Sequence, residues 1–147
     1  TWDASSDDVL RAPRGTTHVV LDTPAGLQGR MLKAVVKRAD KLLIPLQPSV
    51  FDIFATRAFL DELQERRKAA DLDIGVVGMR VSERTLAAER LREFVESLEL
   101  PVLGYLRDTQ HYLHLAAHGL SMFDITPSKV EKDLLQWRPI CQWLQDP

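Results

Sequence analysis

The residues best suited to chemistry lie in the run Val19-Val20-Leu21-Asp22-Thr23-Pro24-Ala25-Gly26. An aspartate at the carboxyl end of a buried strand is held rigidly in a cleft. Its carboxylate can there orient a water or hold Mg2+ through water. A glycine a few residues later lets a backbone N–H approach a phosphate closely, because no Cβ stands in the way. The plainer alternative for Asp22 is a cap at a strand end. A second constellation is His111, His114 and His118, at i, i+3 and i+7 of an expected helix. That spacing puts three imidazoles on one face, as a metal site requires. No acid or cysteine completes the set, so a partly exposed polar face is the preferred reading. Cys141 is the only cysteine and has no basic neighbour to draw out a thiolate. Beside Trp137 and Trp143 it reads as a small hydrophobe and not as a nucleophile.

The elements that must position these residues follow from hydrophobic period. Residues 18–22 form a short β-branched run closed by Asp22, Pro24 and Gly26, which predicts a buried strand. Residues 41–47, 74–81 and 101–106 predict three more, with Pro45 near its strand's end. Helical stripes cover 28–38, 50–70, 83–98 and 109–118, and Pro127 opens a last helix to about residue 144. Ser82 is the expected N-cap of the third helix, and Gly119 the C′ residue of the fourth. Residues 1–16 read as a loop with a helical turn at 7–10. Strands alternating with helices predict an α/β fold, a mostly parallel sheet with helices on both faces. Ligands bind such sheets outside the carboxyl ends of the strands. That singles out 22–26, 47–49, 80–82 and 107–109.

Composition fits this picture. The 147 residues carry 19 Lys plus Arg against 21 Asp plus Glu, and 45% are apolar. Such a balance excludes a disordered chain and an overall field that attracts nucleic acid, though not a local basic patch. One cysteine excludes a disulfide scaffold within the chain. No apolar run approaches the ~20 residues of a membrane span. The chain opens Thr1-Trp2-Asp3 without Met, and no signal-peptide pattern accounts for its loss.

Asp22-Thr23-Pro24-Ala25-Gly26 resembles the Walker B and switch II segment of the ParA/MinD family of deviant-Walker P-loop ATPases. Arg38-Ala39-Asp40-Lys41-Leu42-Leu43-Ile44-Pro45-Leu46-Gln47-Pro48-Ser49 is similar to the family's ADxxIIPxQPS strand and turn. Val76-Val77-Gly78-Met79-Arg80-Val81 looks like its VxNR strand, and Pro101-Val102-Leu103-Gly104-Tyr105-Leu106-Arg107 like its PVLGxI strand. Residues 112–144, with Gly119-Leu120 and Trp137-Arg138-Pro139, are similar to the end of ParA-like partition proteins. The likeness runs from about Arg14 onward and is more specific for the superfamily than for ParA itself. The family's KGGxGKT phosphate loop is missing, and no GxxxxGK[ST] occurs anywhere in the chain.

The resemblance implies a P-loop NTPase-like fold of SIMIBI type. On this expectation residues 1–147 are the C-terminal part of a single ParA-like ATPase domain, with the phosphate loop and switch I upstream of Thr1. The missing phosphate-loop strand would lie between the Asp22 strand and the Ile44 strand. The 147 residues alone are then expected not to fold as a soluble monomer, because two apolar strands would flank an open slot. The resemblance further implies ATP and Mg2+ as cofactors. Asp22 would position Mg2+ through water or the attacking water, with Thr23, Pro24 and Gly26 beside the phosphates. Arg80 and the turn Leu106-Arg107-Asp108 would contact adenine and ribose. Met79 stands where the family has Asn, which places base recognition in question.

The implied function is a cytoplasmic ATPase switch that forms a homodimer when ATP-bound and acts in partitioning or positioning of DNA or other cargo. A ParB-like stimulator and nonspecific DNA are the implied partners. Arg66, Arg67, Lys68, Lys129, Lys132 and Arg138 are candidates for salt-sensitive phosphate contacts. The last helix lacks the strongly basic amphipathic character with which MinD holds a membrane, so no membrane partner is expected. The alternative is a non-enzymatic ParA-like adaptor, a pseudo-ATPase that keeps the fold as an interaction module. A biosynthetic amidotransferase-type ligase sharing the fold is a weaker third reading, because nothing marks a substrate-carboxylate site.

Overall fold

The structure, a computed structural model, describes residues 14–24, 26–67 and 72–146. Its elements in chain order are α1 (Gly29–Val36), β1 (Lys41–Leu46), α2 (Val50–Arg67), β2 (Asp73–Val81), α3 (Leu86–Glu96), β3 (Val102–Arg107), α4 (Gln110–Ala117), a 3-10 turn (Pro127–Lys129) and α5 (Glu131–Gln145). The fold is α/β. Three parallel strands form an open sheet in the order β1-β2-β3.

Strand alternation sends side chains to two faces, and both are covered by helices. Ile44, Leu46, Ile74 and Val76 enter one cluster with Leu32 and Val36 of α1, Leu60 and Leu63 of α2, and Leu91 and Val95 of α3. Val77, Leu103 and Leu106 point the other way and meet Ile140, Trp137 and Trp143 of α5. A small third cluster of Leu115, Met122 and Val130 seats α4. Gly75 sits where this packing is tight. A Cβ there would stand 2.6 Å from Leu103 Cδ1 and 3.3 Å from the Trp143 ring.

Three expectations are corrected. Residues 18–22 form no strand: the segment has no regular structure and no ladder partner among the described residues, with Val19 45% and Val20 91% exposed. Among the described residues it has no neighbouring strand, and a β-branched run without a ladder partner gains nothing by being flat. The cap of α3 is Thr85, not Ser82. The Thr85 hydroxyl accepts the Ala88 N–H at 3.2 Å and donates to the Ser82 carbonyl at 2.9 Å. Arg84 is left-handed at φ 68°, so residues 82–84 turn before the helix begins. Pro127 opens a 3-10 turn, and α5 starts only at Glu131. The helical turn expected at 7–10 lies outside the described residues.

Pro45 is the fifth of six residues of β1, on a strand whose second edge is unpaired among the described residues. An edge strand tolerates a residue with no N–H. Leu43, 36% exposed, and Pro45 share the face of β1 opposite Ile44 and Leu46. Leu43 and Pro45 therefore leave part of that face of β1 open.

Candidate functional site

Because the strands are parallel, their carboxyl ends share one edge of the sheet, and this edge collects the turns at 47–49, 80–82 and 107–109. After β1, the Gln47 N–H donates to Asp52 Oδ2 at 3.3 Å, and the Ser49 carbonyl accepts the Ile53 N–H at 3.0 Å as α2 begins. A shallow cavity of about 180 Å³ opens there, walled by Pro48, Val50, Ile53, Leu86 and Arg90. A larger one of about 320 Å³ lies elsewhere, between Arg57, Asp61 and the 97–100 turn, and none of the expected site residues line it.

At the end of β2 the register with β3 is irregular between Gly78 and Val81. Arg80 sits in that irregularity with a left-handed φ of 52°. A non-glycine residue there costs roughly 1–2 kcal/mol, which marks a position under constraint. Its Nε lies 3.3 Å from Asp108 Oδ1, while the Asp108 N–H donates to the Val81 carbonyl at 3.3 Å. Arg80 and Asp108 are thus brought together across the β2 and β3 turns. Both are exposed, so the pair itself contributes little to stability.

Arg107 faces inward. Its Nε and Nη2 donate to the two oxygens of Asp133 at 2.6 and 3.0 Å, and its backbone N–H donates to Gln136 Oε1 at 3.0 Å. Asp133 is fully buried in the first turn of α5. His111 Nδ1 lies 3.4 Å from its second oxygen. Next to this group the Trp137 indole N–H donates to the Tyr112 hydroxyl at 3.0 Å. The guanidinium hydrogen bond holds the Asp133 carboxyl below its ordinary range, burial opposing it and His111 adding to it. The same bond holds Arg107 cationic. Burial pushes the Tyr112 hydroxyl up, so it stays protonated. The Leu106 side chain is buried among Val77, Leu103 and Ile140.

Asp22, Thr23, Pro24 and Gly26 are all exposed. Asp22 is therefore not held by a strand end. No hydrogen bond or ion pair among the described residues joins it to Arg80, Arg107 or Asp108. Gly26 takes φ 72° with open space around it, so the turn requires glycine for its backbone and not for a close approach.

Among the described residues no group of three or more His, Cys, Asp or Glu is placed to hold a metal. The histidine stripe is spent otherwise: His111 on Asp133, and His118 Nδ1 on the His114 carbonyl at 2.8 Å. Arg66 and Arg67 fall at the end of α2, and Lys68 lies outside the described residues. Lys129, Lys132 and Arg138 are exposed. Lys132 and Arg138 stand roughly 120° apart around α5, so they share no single basic face. No described helix is long and apolar enough to cross a membrane.

Asp133 and Gln136 escaped the sequence reading. The signal was present: Asp133 occupies a core-facing position in the stripe of Val130, Trp137 and Ile140, where an acid needs a partner. Comparison with protein-family models, curated proteins and solved structures returned no match.

Proposed function

We propose that the chain is part of a ParA-like ATP-dependent switch that dimerises around nucleotide and positions DNA or another cargo. The observation that supports this reading most is the edge of β1 that has no ladder partner among the described residues, with Leu43 and Pro45 exposed beside it. An open apolar edge invites pairing with another strand. In the family that position belongs to the phosphate-loop strand. The quoted segments also become β1, β2 and β3 with their turns at one edge, as a nucleotide site in such a sheet needs.

On this reading Asp22 would face Mg2+, which retains most of its waters and takes few carboxylates, so one exposed aspartate suits it. Gly26 would lie by the phosphates, and Arg80 with Asp108 by the base and ribose. Bound ATP would supply the free-energy difference between open and associated states. The test is ATP hydrolysis by the full-length protein with and without DNA. Turnover stimulated by DNA and abolished by Asp22→Ala is expected. Turnover indifferent to Asp22→Ala removes Asp22 from the mechanism.

The pseudo-ATPase adaptor is the second reading, and two observations favour it. The Arg107 guanidinium is engaged with Asp133, and Met79 packs against the α5 cluster. Nucleotide affinity decides between the two, because the adaptor needs none.

A further inference from the structure

Helix α4 ends in a closed turn. Gly119 is left-handed at φ 69°, and its N–H donates to the Ala116 carbonyl at 3.0 Å. The Leu120 N–H donates to the Leu115 carbonyl at 2.9 Å. These paired bonds close the helix and fix His118 as its C-cap. The His118 side chain folds back over the last turn, where Nδ1 meets the His114 carbonyl at 2.8 Å. A carbonyl only accepts, so in the neutral ring Nδ1 carries the proton and Nε2 keeps the lone pair. Metal-binding imidazoles are oriented by just such a bond from the second nitrogen. The His114 ring lies alongside, the two centroids 4.9 Å apart and the planes tilted by 53°. Among the described residues, His118 Nε2 and both ring nitrogens of His114 make no hydrogen bond. Both side chains are exposed.

We infer that His114 and His118 form a two-histidine site for a divalent transition-metal ion. Residues i and i+4 lie one turn apart on the same helix face. With metal–nitrogen bonds of about 2.0–2.1 Å, a shared ion stands about 3.2 Å from each ring centre, and an angle of about 90–109° at the metal sets the centres about 4.5–5.2 Å apart. The observed separation falls inside that range, so the rings are already spaced as a chelate. No third His, Cys, Asp or Glu completes a cluster among the described residues, so water fills the remaining positions and the ion exchanges. Two imidazole donors select Zn2+ or Cu2+ over Mg2+, which takes oxygen ligands. The negative end of the α4 dipole adds to the attraction. His111, three residues earlier, is turned to Asp133 and stays out of the set. The site lies at the end of α4 away from the 107–109 turn and does not rest on the ATPase reading.

The test is calorimetric titration of the full-length, untagged protein with ZnCl2 alone. A site with Kd on the order of 10–100 µM is expected, and MgCl2 gives no heat at the same concentrations. His114→Ala and His118→Ala each weaken zinc binding at least tenfold, because either leaves a single imidazole. His18→Gln leaves it unchanged. His114→Ala removes no side-chain hydrogen bond, so its circular dichroism and melting match the parent's. One equivalent of Cu2+ in the parent gives a paramagnetic resonance spectrum coupled to two imidazole nitrogens, and to one in either alanine variant. A zinc Kd above ~1 mM overturns the inference. So does an affinity unmoved by His114→Ala, a site lost in His18→Gln, or a copper signal from a single nitrogen in the parent.

Discussion

The two ends of the candidate edge are built differently. At β3, the turn is tied down by Arg107 on Asp133, its backbone on Gln136, and Trp137 on Tyr112. At the other end β1 has no second ladder partner among the described residues, and residues 18–24, exposed except at half-buried Leu21, form no strand. The contrast teaches that rigidity and chemical promise are separated here. The well-anchored residue, Arg107, has its charge committed inside the protein. The residue with the best claim to chemistry, Asp22, has no tertiary support among the described residues.

The comparison breaks first at Arg107. Arg107→Met leaves a fully buried carboxylate facing only His111, and should cost about 3–5 kcal/mol in urea unfolding. Asp133→Asn should cost less, about 1–3 kcal/mol, since the freed guanidinium is 36% exposed and can reach water. An Arg107→Met variant as stable as the parent would mean that the tight end is not tight.

Acid sharpens the same point. The folded-state carboxyl of Asp133 titrates below its ordinary value, held there by Arg107. Its contribution is therefore fully present above the unfolded value, near pH ~4, and is lost as pH falls toward the folded one. The stability gap between the parent and Asp133→Asn should stay constant at neutral pH and close below about pH 4 in equilibrium unfolding.

Thr85→Ala should cost about 1 kcal/mol by removing the hydroxyl that caps α3, read as a shift in thermal melting. Ser82→Ala should be nearly silent, which separates the two rival caps. The smallest effect is expected at the loose end. Asp22→Ala should change stability by less than about 0.5 kcal/mol while testing turnover. A larger loss would show that the segment is anchored after all.

The alternation of strands and helices was legible because buried strands and amphipathic helices leave different periods in the chain. Ile74, Val76 and Val77 read as a two-sided strand, and Leu91, Phe94 and Val95 as one helix face, directly from spacing. The run at 18–22 misled for a physical reason. β-branched composition records a preference for extended backbone, but a strand also needs a neighbour, which no local pattern encodes. The cap of α3 was misplaced because Ser82 and Thr85 have equivalent hydroxyls, and the left-handed Arg84 between them decides the start. At the candidate site, the Arg80–Asp108 pair joins turns that the sequence reading had placed on one edge. Asp133 was hidden because an acid near a helix start looks like an ordinary dipole partner.

Helix α1 carries a consequence for the order of folding. Gln28 gives it no side-chain cap, and its first N–H is met instead by Glu62 Oε1 at 3.0 Å, 33 residues away on α2. An eight-residue helix does not persist alone in water. It forms when α2 is already in place to receive it. The segment bearing Asp22 leads straight into that helix. The Glu62 contact thus ties the start of α1 to α2 through one backbone N–H.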